Sequence, residues 1–134
     1  TRILIADDMP AIRALMKQQL NQLGFKDIQV AEDGEGALKI LFDDHYAGKP
    51  IQLVLSDWNM PKVSGIQLLR TVRGTPEFGE IPFLLVTAEN EFSQVREAVS
   101  LRVNDYVVKP FTPDLLKKKL TAVWQRLKPK AGTP

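Results

Sequence analysis

Cysteine is absent from the 134 residues, which excludes disulfides, thiolate metal sites and cysteine nucleophiles together and agrees with a reducing compartment. Histidine is almost absent as well. His45 is the only one, so no pair of imidazoles can hold a metal, and a Ser-His-Asp set would have to be built on that single ring. It lies in the polar stretch 43–50, which contains Gly48 and Pro50 and reads as an exposed loop. No apolar run approaches the ~20 residues needed to span a bilayer, and the chain start lacks the basic, apolar and small-residue regions of a signal peptide. A cytoplasmic location without membrane contact is therefore expected. The glycine patterns G-x-x-x-x-G-K-[ST] and G-x-G-x-x-G are missing too, which removes the common routes to nucleotide chemistry. Charge of one sign is scarce: 18 Lys and Arg against 16 Asp and Glu leave +2, too little to argue for nucleic acid. Most of the excess is Lys117, Lys118, Lys119, Arg126, Lys128 and Lys130, read as the solvated face of a last helix.

What is present is ordinary globular material. Usage of 44% hydrophobic and 25% charged residues excludes disorder and fibrous repeats, and the length suits one domain. That domain is expected over 1–127. Residues 128–134 have no periodicity and two prolines, and read as a flexible tail or the start of a linker.

Apolar runs alternate with helical spacing along the chain. Ile3 to Ala6 is a first strand, and Ile12, Leu15, Met16, Leu20 and Leu23 then form one stripe of a helix between Pro10 and Gly24. Ile28 and Val30 mark a short half-exposed strand, Asp33-Gly34 a turn, and Ala37, Leu38, Leu41 and Phe42 a second helix. Ile51 to Ser56 is a third strand, followed by the loop 58–65 and a helix through Ile66, Leu69 and Val72 that stops at Gly74-Thr75-Pro76. A fourth strand over Pro82 to Thr87 is nearly all apolar, as in a sheet covered on both faces. Phe92, Val95 and Val99 suggest another helix, Tyr106 to Val108 a fifth strand, and Thr112-Pro113 the cap and first position of a final helix with Leu116, Leu120, Val123, Trp124 and Leu127 inward. Five strand-then-helix units predict an α/β fold, a doubly wound five-stranded parallel sheet with helices on both faces.

Ligands of such sheets bind outside the carboxyl ends of the strands. Asp7 and Asp8 follow the first strand, Asp57 the third, Thr87 ends the fourth and Lys109 follows the fifth, so one site can contain them all. Three carboxylates gathered there repel, by about 4 kcal/mol per pair ~4 Å apart at a protein surface, unless a cation offsets them. Mg2+ prefers such oxygens, with a loop carbonyl such as that of Asn59 as a further ligand. An aspartate is also a nucleophile toward phosphorus. Lys109 and the Thr87 hydroxyl could then neutralise the phosphoryl oxygens. Each residue has an ordinary reading when taken singly: Asp-Asp complements a helix dipole, Lys109 is a surface lysine and Thr87 a strand former. Their joint placement favours the chemical reading. Trp58, next to Asp57, borders the site.

The motifs Asp7-Asp8, Ser56-Asp57-Trp58-Asn59-Met60-Pro61, Val86-Thr87-Ala88-Glu89 and Tyr106-Val107-Val108-Lys109-Pro110-Phe111-Thr112 are together highly specific. The chain resembles bacterial response-regulator receiver domains from Ile3 to about Leu127, most of all chemotaxis members of that family. The resemblance implies a flavodoxin-like fold and two-component signal transduction, with Asp57 as phosphoacceptor and a histidine kinase as phosphodonor. It places Mg2+ on Asp7, Asp8, Asp57 and the Asn59 carbonyl, phosphoryl contacts on Thr87 and Lys109, and the switch on Thr87 and Tyr106. Asn59 and Glu89 fall where spontaneous dephosphorylation is tuned. The implied output is a changed affinity for a protein target on the face of the fourth helix, fifth strand and fifth helix. Such a protein is a switch rather than an enzyme, catalysing only its own phosphoryl uptake and slow autodephosphorylation. Departures lie on that face: Leu101 to Asp105 lacks the family's glycines, Asn90 to Ser93 is not basic, and Lys117-Lys118 replaces acidic residues. Two alternatives remain: a receiver fragment of a larger regulator, and a Mg2+-dependent phosphohydrolase with Asp57 as nucleophile. For the latter, Asn59 stands where a general acid is needed.

Overall fold

The computed structural model describes residues 2–57, 60, 63–87, 103, 105–108 and 112–131, with backbone alone for 87, 105–108, 113 and 124–131. The order is β1 (Arg2–Ala6), α1 (Pro10–Gln22), β2 (Asp27–Ala31), α2 (Gly34–Tyr46), β3 (Leu53–Asp57) and α3 (Gly65–Gly74). A 3-10 turn (Pro76–Phe78), β4 (Phe83–Thr87), β5 (Asp105–Val108) and the final helix α4 (Pro113–Ala131) follow. The strands pair in parallel in the order β2-β1-β3-β4-β5. Strand order therefore reverses between β1 and β3, which places a crevice beyond their carboxyl ends.

Alternation within each strand divides the core between the two sheet faces. Leu4, Val54, Phe83 and Leu85 meet Leu41 of α2 and Leu68, Leu69 and Val72 of α3. Ile3, Ile5, Leu53, Leu55, Leu84 and Val86 meet Met16 and Leu20 of α1 and Leu116, Leu120 and Val123 of α4. Each such side chain contributes about 1.5–3 kcal/mol by burial, and β1 is buried from Ile3 onward. Helix starts are fixed locally. Asp33 Oδ1 accepts from the Gly36 N–H at 2.7 Å, Ser64 and Gln67 form a reciprocal capping box, and Thr112 Oγ1 accepts from the Leu115 N–H at 3.1 Å, as expected for that threonine.

The doubly wound parallel sheet with helices on both faces is as expected, and several local expectations are corrected. Helix α2 runs to Tyr46, so His45 lies on a helix and not in a loop. Its ring is half-buried, edge-on to Phe78 with centroids 6.1 Å apart. Stacking of Phe42 on Tyr46 one turn later adds an i,i+4 pair that carries the helix through Asp43 and Asp44. In α1, Leu15 is exposed and Gln19 takes its place inside, because the buried stripe runs through Met16, Gln19 and Leu20. In β2, Ile28 is covered by α1 whereas Val30, on the edge strand, is exposed. Helix α4 continues to Ala131, across the first four residues of the segment read as a tail; Lys128 and Lys130 sit where the negative end of the helix dipole favours cations. The helix expected over 92–99 and, in the glycine-free segment before β5, Leu101, Arg102 and Asn104 lie outside the described residues, as do the side chains of Trp124 and Leu127. Among the described residues no helix is long and apolar enough to cross a membrane.

Candidate functional site

Register decides which strand ends meet. Ala6 lies opposite Ala31 on one side and Ser56 on the other, Asp57 lies opposite Val86, and Thr87 opposite Val108. The residue that follows Ala6 and the last residue of β3 are thus level along one edge, and the last residue of β4 lies one position beyond them. Asp7 is fully buried there. Its N–H donates to the Ala31 carbonyl at 3.1 Å, extending the β1–β2 pairing by one residue. Its carboxylate Oδ1 accepts from the Met9 N–H at 2.9 Å. Met9 is the N-cap of α1 and offers no side-chain cap of its own, so the Asp7 side chain organises the strand-to-helix turn.

Asp57 is 7% exposed, and its carbonyl accepts from Ser56 Oγ at 2.9 Å. Asp8 is exposed. One carboxylate oxygen from each of Asp7, Asp8 and Asp57 lies within 4.8 Å of the others, although the first two are separated from the third by about fifty residues of chain. All donors are hard oxygens, with no imidazole or thiolate among them, and two are buried. That set fits a small divalent cation of the Mg2+ type, which keeps waters and takes one or two carboxylates, and does not fit zinc or copper.

The loop after β3 is pressed against the start of α2. A Cβ on Gly34 would collide with the Val63 carbonyl oxygen and lie 2.6 Å from the Val63 Cβ, so only glycine lets these segments close. Sequence reading placed Gly34 in a turn and did not find this contact, because the partner is nearly thirty residues away. It missed Arg13 too, whose Nη1 donates to the Asp7 carbonyl at 2.7 Å. An arginine on the second turn of a helix carries no signal of that contact by itself.

Of the residues expected at this site, Asp7, Asp8 and Asp57 are brought together. The backbone of Thr87 is at the carboxyl end of β4, and that of Tyr106 is on β5 opposite Leu85. Trp58, Asn59, Glu89 and Lys109 lie outside the described residues.

A model of the response regulator receiver domain matches residues 3–121. The chain belongs to the response regulator receiver domain family. Relatives agree with the assignment: chemotaxis protein CheY-3 of Vibrio cholerae is 41% identical over 94% of this chain and 93% of its own length. Chemotaxis protein CheY of Pseudomonas aeruginosa is 40% identical over 94% and 98% respectively. Among solved structures, the chemotaxis response regulator CheY4 of Vibrio cholerae superposes with a TM-score of 0.78 at 29% identity, covering 92% of this receiver and 98% of that chain. The receiver domain of AraT from Geobacillus stearothermophilus gives 0.81 at 28% identity, covering 97% of each. A receiver is a signalling switch, and these matches lend nothing to the phosphohydrolase alternative.

Proposed function

We propose that this receiver takes a phosphoryl group on Asp57 in a Mg2+-dependent reaction and passes the signal to a protein target. The observation that carries the reading is the meeting of Asp7, Asp8 and Asp57 at the reversal point of the sheet. Asp7, Asp8 and Asp57 would hold Mg2+ with the Asn59 carbonyl. The ion supplies charge neutralisation for the phosphoryl oxygens, whose charge is spread in the transition state. A phosphohistidine of a histidine kinase is the donor: an Asp57 oxygen forms the new O–P bond, the P–N bond breaks, and the imidazole leaves with the electron pair and takes up a proton. Burial of Asp57 beside the apolar end of β4 limits competing water. Thr87 and Lys109 would hold the remaining phosphoryl oxygens, with Asn59 and Glu89 setting how quickly water removes the group.

The switch in this reading is Thr87 followed by Tyr106, on neighbouring strands β4 and β5, biasing a surface made by segment 92–99, β5 and α4 between two states of partner affinity. Kinship with chemotaxis proteins at about 40% identity supports a chemotactic role in the cytoplasm. Acetyl phosphate with Mg2+ should add the mass of one phosphoryl group to the intact protein, and Asp57→Asn should take up none. Labelling that persists in the variant overturns the acceptor assignment.

A further inference from the structure

The acidic pocket has a cationic neighbour that its like charges require. Asp7 is buried with no solvent to screen it, and its carboxylate shares a 4.8 Å cluster with two others. Helix α1 brings Arg13 back over this turn, half-buried, with Nη1 2.7 Å from the Asp7 main-chain carbonyl. That carbonyl belongs to the residue whose carboxylate enters the cluster, so the guanidinium is hydrogen-bonded to the main chain of one of the three acidic residues. Arg13 and Lys17 are the only charged residues in α1, and Lys17 is exposed. The guanidinium is always protonated and weakly hydrated, which suits a partly buried counter-charge.

We infer that Arg13 is a resident counter-charge and positioning residue of the metal pocket: it holds the Asp7-Asp8 turn while the pocket is empty and opposes the divalent cation when it binds. This rests on the Mg2+ reading above. A fixed positive charge near the carboxylates lowers their mutual repulsion in the empty protein and repels Mg2+ in the loaded one. Arg13 therefore weakens the metal affinity and strengthens the metal-free fold. Its consequence is a pocket that fills at a higher Mg2+ concentration than the three carboxylates alone would set.

Calorimetric titration with Mg2+ alone, on wild type and on Arg13→Gln, Arg13→Met and Arg13→Lys, tests this. Removing the charge should lower the Mg2+ Kd about threefold to tenfold, the size expected of one screened charge facing a divalent ion. Arg13→Lys, which keeps the charge, should stay near wild type. In EDTA both neutral variants should melt below wild type, with the gap closing in saturating Mg2+. Unchanged or weaker Mg2+ binding in both neutral variants, or Arg13→Lys behaving as they do, overturns the inference. Arg13→Met keeps the aliphatic stem and so guards against a failure of Arg13→Gln to fold. Failure of the wild type to bind Mg2+ at all overturns the function proposed above instead.

Discussion

The two ends of the sheet treat aspartate in opposite ways. At the amino end of β1, Arg2 is clamped between two carboxylates: Nη1 lies 2.8 Å from Asp27 Oδ1 on β2, and Nη2 lies 2.9 Å from Asp44 Oδ2 on α2. Its guanidinium is held above the usual arginine value, first by the hydrogen bond to Asp44 and then by Asp27, against burial, which lowers it. A pKa raised in the fold means that, wherever Asp27 and Asp44 are ionised, the pairing stabilises the fold up to the ordinary arginine range and is lost as pH rises above it. At the carboxyl end, Asp7, Asp8 and Asp57 face one another. The first arrangement stabilises strand β1 against its neighbours; the second stores repulsion that a bound cation releases. Position at one end of the sheet or the other, and not residue type, separates the carboxylates that pair with Arg2 from those that face one another.

The comparison can be broken most severely at the carboxyl end by filling the Gly34 contact. Gly34→Ala should cost about 1–3 kcal/mol, as overpacking against backbone does, and should slow phosphoryl uptake because the loop after Asp57 is displaced; denaturant unfolding and acetyl phosphate labelling read the two effects. Next come matched substitutions of opposite sign. Asp44→Asn at the amino end should destabilise by about 1–2 kcal/mol through loss of a charged hydrogen bond. Asp8→Asn at the carboxyl end should stabilise the metal-free protein by up to about 1 kcal/mol, since an exposed like charge is removed, while weakening Mg2+ binding. Thermal melts in EDTA and in Mg2+ compare them, and two substitutions of the same sign in EDTA would end the contrast. The smallest effect concerns Tyr46, whose hydroxyl donates to Glu77 Oε2 at 3.1 Å. That bond, then the charge of Glu77, raises its pKa, so Glu77→Gln should bring the phenol titration back toward the ordinary tyrosine range by ultraviolet absorbance.

Strand-helix alternation, the cap at Thr112 and the strand-end carboxylates were legible because each depends on residues within a few positions of one another. The exchange of Leu15 for Gln19 was not. Gln19 is 5% exposed with Oε1 unpaired, a burial that spacing allowed but polarity argued against. The helical placement of His45 was hidden because Asp43, Asp44 and Gly48 look like loop, whereas Phe78 and Arg2, which hold the end of α2, come from elsewhere in the chain.

By itself, then, the sequence determined the periodicities, the turn chemistry and the kinds of residue that end each strand, since these follow from backbone preference and local spacing. Only the tertiary structure decided that Asp57 joins Asp7 and Asp8 while Asp27 and Asp44 meet Arg2, that Val63 closes on Gly34, and that Arg13 reaches the Asp7 carbonyl. Electrostatic and steric energies depend on distance through space, and strand register and helix packing set that distance across stretches of chain that local spacing does not connect.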